Sequence, residues 1–243
     1  MPQGMRWLGP PGSAIRFPDP SSALSWPNGL LAAGGDLSPE RLLAAYRLGI
    51  FPWYETGQPI LWWCPDPRAV IFPSELHISR RLRRFLASGP FEASFDREFT
   101  AVIEGCARTD APGVGTWITP AMKRAYQALS ALGHAHSVEV WSDDELAGGL
   151  YGVAVGRVFF AESMFSRASN ASKAAMIHLV HKLRADGYRL MDCQLPSRHL
   201  ETMGARTIPR EEFLALLKLS VNAPLPDRRP WPAERQRVAA QLK

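Results

Sequence analysis

Residues 150–194 constrain the fold more than any other stretch of the 243-residue chain. Leu150 to Val155 and Val158 to Ala161 read as a hairpin about Gly156 and Arg157. Asn170 to Gly187 reads as an amphipathic helix and Arg189 to Gln194 as a further strand. A strand ending at Glu162, a helix crossing back and a strand carrying Asp192, Cys193 and Gln194 bring two carboxylates and a primary amide to one cleft. Asp192 and Gln194 stand two apart, so on a strand both point to one face and Cys193 to the other. Met164, Met176, Leu179, Leu183 and Met191 then line an apolar pocket beside the polar groups. The combination suits an enzyme that selects a large apolar group and transfers what it is attached to.

The rest of the chain frames this block. Residues 13–75 read as loops and short elements rich in proline. One clear helix stands among them: Ser38 is its N-cap, Pro39 its first residue, and Leu42, Leu43 and Tyr46 its apolar face before Gly49. A second helix over His77 to Leu86 carries Arg80, Arg81, Arg83 and Arg84 on its surface. Asp96 to Cys106 reads as helical, and Thr119 with Pro120 opens another helix ending near Gly133. Val138 and Val140 mark a half-buried strand. A last helix follows Pro209 with Phe213, Leu214 and Leu217, and the tail from Asn222, proline-rich and then basic, reads as peripheral. The order implies an α+β fold: a small N-terminal domain (1–75), a larger N-acetyltransferase-like domain (76–221) and a Pro-rich basic tail (222–243).

Composition narrows the function. No apolar run approaches the ~18 residues that span a bilayer, and Met1 to Gly12 lacks the continuous apolar core of a secretory signal. Cys64, Cys106 and Cys193 form no CxxC pair, so neither a disulfide framework nor a zinc cluster is supported. His178 and His181 stand three apart without a third ligand, so no metal site is expected. A cytoplasmic location fits best. The net charge of +5 permits a polyanionic partner.

Each candidate residue has two readings at this point. Asp192 with Gln194 is either a catalytic pair or a hydrogen-bond network at a sheet end. Glu162 either caps a loop or pairs with an arginine, or it binds a cationic amine. Trp53, Tyr54, Trp62 and Trp63 either pack a small lobe or offer a stacking surface, with Arg68, Arg80, Arg81, Arg83 and Arg84 holding phosphates or forming a solvated face. Ser163 and Ser166 read as turn or cap residues, since no His–Asp set argues for a serine nucleophile.

Several motifs together resemble one family. Pro27-Asn28-Gly29-Leu30-Leu31, Gly34-Gly35-Asp36-Leu37-Ser38-Pro39, Gly49-Ile50-Phe51-Pro52-Trp53 and Trp62-Trp63-Cys64-Pro65-Asp66-Pro67-Arg68 are four of them. Gly115-Thr116-Trp117-Ile118-Thr119, Gly133-His134-Ala135-His136-Ser137, Glu162-Ser163-Met164-Phe165-Ser166 and Asp192-Cys193-Gln194 complete the set. From about Ile15 to Leu217 the chain resembles the leucyl/phenylalanyl-tRNA–protein transferases. The resemblance implies a bacterial cytoplasmic aminoacyltransferase that moves Leu or Phe, and Met less well, from aminoacyl-tRNA to an N-terminal Arg or Lys of acceptor proteins, marking them for degradation. It implies a small N-terminal domain with an acetyltransferase-like C-terminal domain, and neither metal nor nucleotide cofactor. By motif, Asp192 and Gln194 correspond to the catalytic relay and Glu162 to the carboxylate that receives the acceptor's basic end. Trp53 and Trp117 correspond to aromatics flanking the terminal adenosine and substrate. Ser163 joins the substrate-binding set, and Leu150, Met164, Met176, Leu179, Leu183 and Met191 correspond to the amino-acid pocket. Leu179 and Leu183 stand where the family pattern implies aromatics. A monomer is expected.

The aminoacyl ester is already activated, so transfer needs no ATP. In this scheme Asp192 polarises Gln194, which orients the attacking amine. An acetyl-CoA-dependent N-acetyltransferase is one alternative, but it needs a glycine-rich pyrophosphate loop, and Ser166 to Ser172 contains no glycine. A non-catalytic RNA-binding protein is another; it explains the charge and leaves Asp192 and Gln194 unused.

Overall fold

An eight-stranded mixed sheet forms the centre of the computed structural model, which describes residues 5–108, 116–225 and 230–242. Gly115 of one motif and residues 226–229 and 243 of the tail lie outside the described residues. A smaller sheet contains β1 (Arg6–Leu8), β2 (Leu30–Gly34), β3 (Phe51–Pro52) and β4 (Leu61–Trp63), in the order β1-β2-β4-β3. The large sheet contains β5 (Arg68–Ile71), β6 (Glu92–Phe95), β7 (Ala135–Ser142), β8 (Glu145–Val155), β9 (Val158–Ser166), β10 (Leu190–Gln194), β11 (Arg206–Ile208) and β12 (Gln236–Arg237). Its order is β11-β5-β10-β9-β8-β7-β6-β12, antiparallel throughout except for β9 and β10.

The helices are α1 (Pro39–Arg47), α2 (Arg80–Ser88), α3 (Phe99–Ala107), α4 (Pro120–Ala131), α5 (Ala171–Ala185), α6 (Arg198–Glu201) and α7 (Arg210–Val221). α5 is the crossover that lets β9 and β10 run parallel. Local signals set the helix starts. Thr119 accepts a hydrogen bond from the Met122 N–H at 3.2 Å, and Pro120 fills the first position of α4. At α1 Ser38 occupies the cap position without a side-chain bond; Asp36 Oδ1 instead accepts from the Ser38 N–H at 2.9 Å.

The sheet is covered on both faces, which is why its central strands read as buried almost end to end. Val70, Tyr151, Phe160 and Leu190 point to one core, with Tyr46 of α1, Tyr126 of α4 and Phe213 of α7. Their neighbours Ile71, Leu150, Phe159 and Met191 point to the other, with Leu86 of α2 and Leu179 of α5. The period of two sorts adjacent residues to opposite layers.

Four expectations change. β7 is buried along its length rather than half-buried, because helices lie on both sides of it. The expected helix over Asp96 to Cys106 begins only at Phe99; β6 precedes it, and Asp96, at φ +53°, uses its carboxylate to accept from the Ser137 N–H at 2.9 Å. The tail is not peripheral. β12 pairs with β6, and Val238 and Leu242 are buried in the core beside α2. The strand Arg68–Ile71, within the stretch read as the small N-terminal domain, lies in the large sheet.

Deleting residues 236–243 should therefore lower unfolding stability by about 2–5 kcal/mol, the scale of emptying one or two core positions. Urea denaturation of the truncated chain measures this, and an unchanged midpoint would restore the peripheral reading.

Candidate active site

The parallel pairing of β9 and β10 runs from Leu190 opposite Val158 to Asp192 opposite Phe160. Just beyond, each strand carries a bulge against its other neighbour. On β9 the pairing with β8 passes from Ala161 to Ser163, leaving Glu162 as the extra residue. On β10 the pairing with β5 passes from Asp192 to Gln194, leaving Cys193 extra and Gln194 at φ +56°. Bulges re-aim side chains, and they are common next to active sites. Glu162 thus sits within a strand that continues to Ser166, not at a strand end as the sequence reading had it. Ser166 is the strand's last residue, and its hydroxyl accepts from the Ser172 N–H at the start of α5.

Asp192 is completely buried, and both its carboxylate oxygens are engaged. Arg68 donates Nε to Oδ1 at 2.8 Å and Nη2 to Oδ2 at 2.6 Å, and the Gln194 N–H donates to Oδ1 at 3.0 Å. The Arg68 guanidinium lies against the rings of Phe51 and Phe213. Two expectations are corrected here. Arg68 cannot hold an RNA phosphate, because its side chain is sealed in the core. Asp192 touches the backbone of Gln194 rather than its amide, so it fixes the strand's turn and does not polarise the amide directly.

Glu162 is half-buried and gathers donors from three elements. Tyr46 donates to Oε1 at 2.8 Å, Tyr126 to Oε2 at 2.7 Å, and the Gln194 amide nitrogen to Oε1 at 3.3 Å. The two tyrosine hydroxyls are themselves 2.6 Å apart. Burial pushes the Glu162 carboxyl up from 4.5 to about 7, the tyrosine hydrogen bonds opposing the shift. Because Glu162 takes the amide nitrogen, the carbonyl of Gln194 is the end left to other partners.

A cleft of about 210 Å³ opens over this pair, walled by Phe51, Pro52, Trp53, Trp117, Cys193 and Leu195 with Glu162 and Gln194. Trp53 is 42% exposed at its rim, and its carbonyl accepts from the Trp63 indole N–H at 2.7 Å. The cleft joins the aromatics, the amide and the carboxylate singled out from sequence. A larger cavity of about 600 Å³ lies elsewhere, between Arg47, His136, Asp186 and Trp231; it contains none of them.

Two family models match the chain. The leucyl/phenylalanyl-tRNA protein transferase model covers residues 70–218, and the N-terminal domain model of the same family covers residues 35–66. A leucyl/phenylalanyl-tRNA–protein transferase from Stutzerimonas stutzeri is 56% identical over 86% of this chain and 93% of its own length. Those of Pseudomonas aeruginosa and Nitrosospira multiformis are 59% and 58% identical, over 83% and 89% of this chain and 89% and 92% of their own. The chain belongs to the leucyl/phenylalanyl-tRNA–protein transferase family. It is an aminoacyl-tRNA–protein transferase with the α+β fold expected, a small N-terminal sheet beside a larger mixed one. Among solved structures, a GCN5-related N-acetyltransferase from Kribbella flavida is similar at 12% identity and a TM-score of 0.38, over 68% of this chain and 58% of that one. A likeness that slight bears on neither function nor residue roles.

Not every pocket residue expected from the family pattern reaches the cleft. Leu150, Met176, Leu179, Leu183 and Met191 are at most 1% exposed and pack together on the α5 side of the sheet. They form solid core, not an open apolar hole. The parity of the sheet explains this: Met164 packs on the α5 side, and the bulge at Glu162 separates it from the carboxylate two residues before. Ser163 and Met164 are half-buried. Arg80, Arg81, Arg83 and Arg84 are all exposed on α2. The sequence reading missed Tyr126 and the buried role of Arg68, and took Tyr46 only as an apolar helix residue. Their partners lie 36, 124 and 116 residues away along the chain, so no local spacing signals them.

Two outcomes follow from the transferase's buried groups. Arg68→Ala or Asp192→Ala should cost about 3–5 kcal/mol, since each leaves a buried charge alone. Arg68→Met with Asp192→Leu should recover part of that loss in urea denaturation; a double variant worse than both single ones would refute the pairing argument. Glu162 gives the pH dependence. In the unfolded chain it loses its proton from about pH 4.5, whereas in the folded chain it holds it to about 7. The folded state thus binds more protons over that window, and wild-type stability declines as pH rises through it. Glu162→Gln, which cannot ionise, should gain on the wild type between pH 5 and pH 8, and a constant difference would contradict the shift.

Proposed function

We propose that the cleft receives the 3′ end of a tRNA charged with Leu, Phe or, less well, Met, together with the N-terminal Arg or Lys of an acceptor protein. One observation carries this reading: Trp53, Trp117, Glu162 and Gln194 line the same small cleft. Trp53 and Trp117 stack on the terminal adenosine, an interaction of about 1–3 kcal/mol per base. The arginines of α2 hold tRNA phosphates at a distance from the chemistry. Glu162 binds the cationic end of the acceptor.

The reaction is aminolysis of an activated ester. The acceptor's neutral α-amine attacks the ester carbonyl, a C–N bond forms, and the C–O bond to the ribose breaks. Gln194 is too weak a base to deprotonate an amine. Its part is orientation: Glu162 fixes the amide nitrogen, the Asp192 carboxylate fixes the backbone, and the carbonyl oxygen accepts from the attacking amine. Asp192 is then a positioning residue. The Leu or Phe side chain lies against the apolar wall of the cleft, beside Phe51, Pro52 and Leu195. The product marks the acceptor for degradation in the cytoplasm, where charged tRNA is made.

Labelled leucyl-tRNA incubated with an Arg-initiated peptide, without ATP or CoA, should yield Leu-peptide. Absence of transfer removes the reading, and a requirement for CoA points to an N-acetyltransferase instead. Gln194→Ala should lower turnover with tRNA binding unchanged, and Trp53→Ala should raise KM about 5- to 150-fold, the range of one lost stacking contact.

A further inference from the structure

Tyr46, Tyr126 and Glu162 close a ring of three short oxygen–oxygen contacts, at 2.8, 2.7 and 2.6 Å. Two oxygens that close need a proton between them. Both tyrosines are fully buried, so water does not make up a deficit. The hydroxyls bring two protons to three contacts. With Glu162 ionised the ring is one proton short; with Glu162 protonated each member donates once, Glu162 to Tyr126, Tyr126 to Tyr46, and Tyr46 back to Glu162. The hydroxyls cannot supply the missing proton by ionising, because burial pushes both phenols well above their usual 10. An ionised carboxylate has about four acceptor positions. Tyr46 and the Gln194 amide occupy two on Oε1 and Tyr126 one on Oε2, so one on Oε2 remains.

We propose that Glu162 takes a proton from the acceptor's α-ammonium and that Tyr46 and Tyr126 are positioning residues whose ring closes when that proton arrives. The inference rests on the reading that this cleft binds the acceptor's N-terminus, and it deepens it. The ammonium gives one proton to Glu162 and becomes a neutral amine. Its nitrogen attacks the ester carbonyl; the C–O bond breaks, and a second proton from nitrogen goes to the departing ribose oxygen. Glu162 then returns its proton to water, so the net change is ammonium plus ester to amide, alcohol and one proton. A free α-amino group titrates at about 7.7–8.0 and Glu162 at about 7, so the first transfer is only slightly uphill.

The charged and titratable groups facing Glu162 come from every element packed on it. They are Tyr46 of α1, Tyr126 of α4, Tyr151 of β8, Asp192 of β10 and Arg68 of β5, and Cys193 of β10 shares the cleft, its thiol pushed up by burial. Asp192 and Arg68 neutralise each other, and Tyr151 has a buried hydroxyl with no hydrogen-bond partner. None competes for the proton.

The test is the single-turnover rate of Leu transfer to an Arg-initiated peptide across pH 5.5 to 9. Wild type should show a rising limb with its inflection near 7. Glu162→Gln should fall about 10²-fold or more, the usual share of a general base, and keep only the limb of the acceptor amine itself, at about 7.7–8.0. Tyr46→Phe and Tyr126→Phe each open the ring and remove one hydrogen bond to the carboxylate, so each should move the inflection away from 7. Infrared difference spectra of the carboxyl band, wild type against Glu162→Gln, read the same titration without turnover. A limb still centred near 7 in Glu162→Gln, an inflection unmoved in both Phe variants, or a Glu162 band titrating near its ordinary value overturns the proposal. Absence of transfer by the wild type at every pH sinks the functional reading instead, and the infrared titration still judges the ring.

Discussion

The buried pair of Arg68 and Asp192 is the constraint on which the site depends. It joins β5 to β10 at the point where β10 leaves β9, and the same carboxylate catches the Gln194 N–H. Gln194 adopts a left-handed backbone, which side-chain-bearing residues reach only at some cost. The Asp192 hydrogen bond offsets that cost and turns the amide toward Glu162. Two rings, Phe51 and Phe213, exclude water from the guanidinium. Phe51 also walls the cleft, so the support and the site share a residue. An ion pair this deep is weak evidence for stability in itself. Here its geometric consequence matters more than its energy.

The second determinant is parity. A strand sorts its residues by odd and even position, and an inserted residue exchanges the two faces from there onward. β9 sends Phe160 and Glu162 to the layer of Tyr46 and Tyr126, then sends Met164 to the layer of α5. Without the extra residue Met164 would follow Glu162 to the tyrosine side. The bulge thus allows one nine-residue strand to serve a polar site and an apolar core within three positions.

Much of the fold was legible in the sequence because its signals are local. Pro39, Pro120 and the Thr119 cap mark helix starts, and the Gly156–Arg157 turn joins β8 to β9 as expected. Trp53, Trp117, Glu162 and Gln194 do meet at one cleft, which motif reading had brought together. What escaped was set by non-local pairing. The period-two argument places Asp192 and Gln194 on one face of an ideal strand but contains no term for an inserted Cys193. Arg68 looks like any surface arginine until β5 pairs with β10. The Met and Leu side chains of α5 were assigned to a pocket because apolar residues line pockets and cores alike, and only the sheet's faces decide between them.

Cys193 bears on how the transfer runs. Cys193 is among the residues that wall the cleft, which raises the question of an acyl-enzyme route. Yet thiolate, not thiol, is the nucleophile, and two effects keep this one protonated: burial first, then the neighbouring Asp192 charge. Arg68 opposes them, and is outweighed. Cys193 is thereby held as a thiol, chiefly by burial. An aminoacyl ester needs no further activation, so a site that orients the amine and suppresses its own nucleophile favours direct attack over a covalent intermediate.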